Sequence, residues 1–321
     1  MDNPKILELK LSVLLVTYNH ENYIERALDS LFRQKLSHRI ELVIADDFSS
    51  DKTIEIIKSF EGRDDRFIFK YLDNDKNYGI TRNYQRGFLA SDGLYVAVLE
   101  GDDYWISPTK LEKQILFLDE HWECDLCSVN YWVFEENRNF FYPRAPIGND
   151  HKIIAARDLI NDNLVGNFST CMYRKSALRK IPQSVFEIKS YDWIINICIS
   201  GKNLIGFLNE PLSVYRIHSK GSWSKASHLE KLKAQLEIIP AYNDLTDGIY
   251  NAEFNELSAR IKNSIAIETI DKNLSNIKLP ASRLFRLARN FLPPFLFPLF
   301  HLITPPIFSR VLLKIIRRGG K

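Results

Sequence analysis

Leu99-Glu100-Gly101-Asp102-Asp103-Tyr104-Trp105 sets three carboxylates within four positions, directly after an apolar segment at 94–99 that reads as a buried strand. Carboxylates just beyond the C-terminal end of a strand face the crevice in which open α/β sheets hold their ligands. Like charges this close repel, and a hard divalent cation, Mn²⁺ or Mg²⁺, is the simplest relief. An acidic cluster is also a common solvated turn, so its surroundings decide the reading.

Working outward, strand and helix signals alternate up to about residue 120. Apolar runs at 11–16, 40–45, 67–72 and 94–99 read as strands. Between them, 23–32 carries Ile24, Leu28, Leu31 and Phe32 at helical spacing, Ser50 and Asp51 are N-cap candidates for a helix through Ile54, Ile57 and Phe60, and 80–89 forms a third helix. Such alternation predicts a largely parallel sheet with helices on both faces. Thr17-Tyr18-Asn19, Asp46-Asp47 and Asp102-Asp103 each begin where a strand stops. In a parallel sheet those ends share one edge, so one crevice follows. Beyond Asp125 the pattern mixes strands at 126–134 and 169–173 with helices at 156–161 and 193–200, and from about 226 to 273 it turns helical and polar.

The totals agree with a folded body. The 321 residues are 45% apolar and 26% charged, which excludes a disordered chain. Net charge is +3, yet Arg283, Arg286, Arg289, Arg310, Lys314, Arg317, Arg318 and Lys321 put eight positive charges beyond Pro280 with no acid among them, leaving −5 to the rest. A mildly acidic body with a basic tail excludes a nucleic-acid-binding body and points to a localised anionic contact. Residues 291–308 are strongly apolar but hold Pro293, Pro294, Pro298, Pro305 and Pro306, too many for a simple spanning helix. Basic flanks around that block suit the interface of an anionic membrane; the alternative is that it packs onto the body. Four cysteines make no disulfide framework, and with no secretory signal at the start the expected compartment is the cytoplasm, peripheral on the inner face of the cell membrane.

The polar residues at the strand ends fit a nucleoside diphosphate. Tyr18 offers a flat ring for a nucleobase, and Asn19 and Glu21 continue that loop. Asp47 is placed to accept a base N–H, while Asp46 either does the same or braces the turn. Asn77-Tyr78-Gly79 with Arg82 and Asn83 marks a loop-to-helix junction that suits a phosphate. A cation on Asp102 or Asp103 would bridge the diphosphate and offset charge as it leaves.

Val16-Thr17-Tyr18-Asn19, Ala45-Asp46-Asp47-Phe48-Ser49-Ser50-Asp51, Asn77-Tyr78-Gly79 and the opening heptapeptide stand in the order found in family 2 glycosyltransferases. The chain resembles that family over roughly residues 10 to 225. The resemblance implies a GT-A fold (a Rossmann-like, mostly parallel α/β sheet flanked by helices), a nucleotide-sugar donor, a divalent cation and inversion at the anomeric carbon. By motif position Thr17, Tyr18 and Asp47 look like base contacts. Glu100 to Asp103 looks like the family's D-x-D region, with Glu100 replacing its first aspartate in the donor contact and Asp102 and Asp103 as metal ligands. Tyr191-Asp192-Trp193 resembles the motif whose aspartate is the catalytic base; Asp192 equally suits a helix N-cap. Tyr215-Arg216-Ile217-His218 resembles a segment in which Arg216 and His218 engage diphosphate or metal. Gly221 lets the following loop fold as a lid, and Trp223 stacks on a sugar or anchors that loop.

The expected organisation is a glycosyltransferase domain at 1–225 (a donor half at 1–124 and an acceptor half at 125–225), a helical region at 226–279 and a membrane-associating basic tail at 280–321. The expected acceptor is a lipid-linked glycan in bacterial surface-polysaccharide synthesis. Three other readings compete. A polyprenyl-phosphate sugar synthase would need little base catalysis, against Asp192. A nucleotide-sugar pyrophosphorylase would call for a glycine-rich loop that the segment 16–21 lacks. An inactive sugar-nucleotide-binding scaffold would not need Asp102, Asp103 and Asp192.

Overall fold

The computed structural model describes residues 10–188, 191–201, 203–218 and 226–276. Gly221, Trp223 and the basic tail lie outside them. Strands β1 (Leu11–Thr17) and β2 (Ile40–Asp46) are buried at all seven positions each, as expected of central strands covered on both faces. With β3 (Phe67–Tyr71) and β4 (Tyr95–Glu100) they form a parallel set in which β1 lies between β2 and β4. Helices α1 (Ile24–Phe32), α2 (Thr53–Lys58) and α3 (Ile80–Ala90) make the crossovers. α1 turns Ile24, Ala27, Leu28 and Leu31 to the core, the stripe a 3.6-residue period demands.

The second half supplies β5 (Tyr104–Trp105), α4 (Lys110–Glu120), β6 (Cys124–Glu135), β7 (Phe140–Pro143), β8 (His151–Ala155) and α5 (Ala156–Asn161). These are followed by β9 (Met172–Arg174), α6 (Lys175–Leu178), α7 (Asp192–Ser200) and β10 (Leu204–Ile217). Among the described residues one sheet has the order β3-β2-β1-β4-β9-β6-β10-β5, with β7 added beside β6 and β8 beside β10. β9 runs antiparallel to both β4 and β6, so β6 and β10 point the same way as β1 to β4. The C-terminal ends of β1, β2, β4, β6 and β10 therefore meet on one edge. This is the mostly parallel α/β sheet expected from the sequence.

Two segments depart from the sequence expectation. Residues 169–173, expected as one strand, begin as a 3₁₀ turn (Phe168–Thr170) before β9. The Thr170 hydroxyl bonds the carbonyls of Val165 and Asn167 (2.9 and 2.8 Å), a local bond that competes with a ladder. β10 carries Pro211 and shifts register against β6 on either side of it, which hides a long strand from a period-two pattern.

Two helices, α8 (His228–Leu245) and α9 (Asn251–Asn276), close the described chain. Two compact units result: Met1–Ala226 with Glu237–Leu257, and Ser227–Leu236 with Ser258–Lys321. In the first, Trp193 of α7 packs edge-on against Tyr242 and Phe254. Among the described residues no helix is long and apolar enough to cross a membrane. Cys124, Cys127 and Cys171 are buried free thiols.

One core position works against stability. Lys110 is fully buried; its Nζ bonds Gln114 Oε1 at 2.7 Å and sits 4.2 Å from the Trp105 ring centre. Burial without a carboxylate partner lowers its amine to about 7. The unfolded chain keeps that proton to about 10.4. Between the two values the unfolded state binds more protons, so this group makes stability rise with pH and is most costly at and below neutrality. Lys110→Met is expected to stabilise the protein by about 2–3 kcal/mol at pH 7, after loss of the Gln114 and Trp105 contacts. Denaturant melts should show that gain shrinking toward pH 10; a pH-independent or negative change counts against it.

Candidate functional site

The site starts from the strand ends. After β1 the chain turns sharply: Asn19 takes the left-handed conformation (φ 54°), and its Oδ1 accepts the Ser50 N–H at 2.9 Å. Asn19 N donates to Ser49 Oγ (2.8 Å), and Glu21 Oε2 accepts the Lys52 N–H (3.3 Å), so the loops after β1 and β2 are stitched together. Tyr18 stands beside this seam with its ring half exposed. Phe48, also exposed, holds φ 69°, a strained conformation for an aromatic residue.

Several strand-end residues serve as braces. Asp46 accepts from Ser49 N and Oγ and from Asn74 Nδ2 (2.9, 2.5 and 2.8 Å), bonds that brace the turn after β2. Asp47 accepts the N–H groups of Tyr78 (2.6 Å) and Gly79 (3.0 Å), and Asn77 Nδ2 bonds the Asp47 carbonyl at 2.9 Å. Asn83 is buried, with its amide on the Ala45 carbonyl (2.6 Å). Arg82 bonds the neighbouring Gln85 side chain at 2.9 Å on the surface. Asp47, Asn77, Gly79 and Asn83 thus form one junction between β2 and α3.

The acidic loop lies against β1. A Cβ on Gly101 would come within 2.7 Å of both Thr17 Oγ1 and His20 Nδ1, so only glycine lets the loop nest there. Thr17 and His20 bond each other at 3.2 Å, and His20 Nε2 stands 3.8 Å from Asp102 Oδ2. From the end of β10, His218 Nε2 reaches the same oxygen at 3.0 Å. Burial pushes the Asp102 carboxyl up, but the His218 bond and the nearby imidazoles outweigh it and hold it below the usual range. Burial, with the Asp102 charge, raises Glu100 to about 8, against a Tyr84 Oη bond of 2.6 Å.

Asp102 and Asp103 diverge. Asp103 is 1% exposed, and its Oδ1 accepts the Arg216 backbone N–H at 2.9 Å, tying the loop to β10. Burial, then the charges of Asp102 and Glu100, push its carboxyl well up. The Arg216 guanidinium bonds Glu136 Oε1 and the Asp102 carbonyl (both 3.0 Å) and lies over the Tyr23 ring at 5.0 Å. Arg216 is thus tied by these bonds to the acidic loop and to Glu136. His20, Tyr23, Glu136 and Tyr84 complete these contacts, and none is carried by a motif of its own.

Asp192, ninety residues on, joins this group. Tyr191 holds the N-cap position and Asp192 is the first helical residue of α7. Its Oδ2 accepts from Asn163 Nδ2 at 2.9 Å. Burial raises its carboxyl; the Asn163 bond and the N–H groups of Trp193 and Asp192 oppose that. Its charge acts on Tyr84 and Glu100, and Tyr215 feels Glu100, Asp102, Asp103 and Asp192 together, so the base candidate lies within electrostatic reach of the acidic loop.

The donor set suits a hard cation. Among the described residues no three His, Cys, Asp or Glu side chains gather as a metal cage. A partly exposed Asp102 beside His218 instead offers one oxygen and one nitrogen, and Mn²⁺ or Mg²⁺ commonly takes its remaining ligands from water and substrate phosphates. Asp103, turned toward Arg216, is the weaker ligand candidate.

A sequence model described as Glycosyl transferase family 2 matches residues 12–182. An uncharacterised protein of Mycobacterium tuberculosis is 32% identical over 218 residues, which is 67% of this chain and 61% of that one. This chain thus spans about three fifths of that relative. Bacillus subtilis TuaG, whose name assigns it to teichuronic acid biosynthesis, is 36% identical over 127 residues (40% of this chain, 48% of TuaG). Among solved structures, residues 1–349 of S. aureus TarS in complex with UDP-GlcNAc superpose with a TM-score of 0.62 at 20% identity, covering 79% of this chain and 72% of that one. That likeness carries the GT-A fold.

Proposed function

This chain belongs to glycosyl transferase family 2, and on that footing we propose that it moves a sugar from a nucleotide diphosphate donor to an acceptor hydroxyl with inversion. The observation that carries the proposal is Asp102 joined to His218 at the strand-end edge, with Asp192 within electrostatic reach of the same acidic loop. The half-exposed Tyr18 ring is the surface for the base, and the junction of Asp47, Asn77 and Gly79 holds the loop beside it. Asp102 and His218 would hold a divalent cation, which when bound screens the diphosphate and stabilises it as the leaving group.

Asp192 takes the proton of the acceptor hydroxyl. The freed oxygen forms its bond to the anomeric carbon on the face opposite the breaking bond, and the nucleoside diphosphate leaves with that electron pair. Opposed faces give inversion. The acceptor proposed is a lipid-linked glycan of a bacterial surface polysaccharide. The basic tail at 280–321 supports it, as does similarity to TuaG, and the tail would hold the enzyme on the inner face of the membrane.

Thermal stability across nucleoside diphosphates and sugar nucleotides, each with and without Mn²⁺, tests this reading. A ligand of the folded state at a hundred times its Kd adds about 2.7 kcal/mol, a rise of several degrees in Tm. One base family is expected to give that rise, larger with Mn²⁺. Folded protein with no shift for any member overturns the proposal.

A further inference from the structure

The base candidate is held by a loop that no motif marks. Residues 162–167 run from α5 toward the 3₁₀ turn, and from among them Asn163 Nδ2 donates to Asp192 Oδ2 at 2.9 Å. The loop is anchored from three sides. Arg144, after β7, donates to the Asp162 carboxylate and to the Asn163 carbonyl (3.3 Å). Gly166 N donates to Asn163 Oδ1 at 3.4 Å. Gly166 has φ 48°, and a Cβ there would meet Tyr131 Oη at 2.1 Å, so the loop sits flush on β6. The amide is therefore delivered to the carboxylate by a fixed frame.

We propose that Asn163 is the positioning residue of Asp192: its amide occupies Oδ2, so that Oδ1 receives the acceptor proton. This rests on Asp192 as the base. An amide donor does not titrate, unlike a histidine or lysine whose charge depends on pH, and it favours the ionised carboxylate in a buried setting. Among the described residues, the titratable groups that feel the Asp192 charge are Glu100 at the end of β4, the phenols of Tyr84, Tyr131, Tyr173, Tyr215 and Tyr242, and the Cys171 thiol. None of these is a cation. The charged form thus relies on neutral donors, and Asn163 is the side chain among them.

The test titrates the intact protein labelled with ¹³C at aspartate carboxyls, with the Asp192 signal assigned by its loss in Asp192→Asn. In Asn163→Ala the Asp192 midpoint is expected to move up by about one pH unit, as loss of a charge-assisted hydrogen bond requires. Asn163→Ser, too short to reach Oδ2, should move it the same way and serves if the alanine variant does not fold. A midpoint unmoved in either folded variant overturns the proposal. Where turnover is measured, the acidic limb of kcat should follow the midpoint while the donor KM holds; a merely structural loop would lower kcat without moving that limb. The NMR midpoint is read without turnover, so failure of the proposed reaction and failure of this inference are told apart.

Discussion

Asp192→Asn is expected to bind the nucleotide-sugar donor as the native protein does and to transfer sugar about 10²–10⁴-fold more slowly, the usual worth of a positioned base. Asparagine keeps the size of the side chain and an acceptor for Asn163. α7 should stay in place, because Trp193 Nε1 bonds the Leu159 carbonyl at 2.6 Å and Ile194 and Ile195 are fully buried. Only proton acceptance is lost. Equal falls in kcat and kcat/KM are the signature of an interaction made in the transition state alone. Burial raises the Asp192 carboxyl, so native kcat should climb with pH through a midpoint above the ordinary aspartate range, and that limb should be missing in the variant. Release of nucleoside diphosphate, followed against pH with acceptor present, checks both; unchanged turnover removes Asp192 as the base.

The first half of the fold was legible because its physics is local. β1 and β2 are buried on both faces and read as continuous apolar runs, and α1 shows its core stripe directly. β10 was not legible, since Pro211 and the register shifts on either side of it break the strand pattern, and β5 is only two residues long. In the candidate site, Asp102, Asp192 and His218 could be singled out from motifs. The partners that set their chemistry could not: His20 meets Asp102 only because Gly101 lets two loops nest, and Asn163 meets Asp192 through a loop fixed by Arg144. A strand-end aspartate that faces a ligand and one that braces its own loop look the same in a sequence. Asp46 and Asp103 show this, each having an oxygen bonded to a backbone N–H of the frame.

That distinction separates two neighbouring carboxylates by experiment. Asp102→Asn is expected to abolish the Mn²⁺-dependent part of nucleoside diphosphate binding and to cut turnover by about 10³-fold or more, since a cation on a leaving phosphate is worth several kcal/mol. The Asp102 carboxylate oxygen stands 3.0 Å from His218 Nε2, and on the proposed reading a neutral amide there leaves His218 to hold the cation alone. Asp103→Asn keeps an oxygen for the Arg216 N–H, so β10 stays tied to the acidic loop and the Mn²⁺ dependence should survive. Asp103→Ala removes that acceptor, leaves a buried N–H without a partner and should cost about 1–3 kcal/mol of stability. Titration of Mn²⁺ into each variant, with and without the nucleoside diphosphate chosen by the thermal panel, reads the difference. If Asp102→Asn still binds nucleotide in a Mn²⁺-dependent manner, the cation is not held at this oxygen. If Asp103→Asn loses that dependence as fully as Asp102→Asn, Asp103 belongs with the ligands and not with the frame.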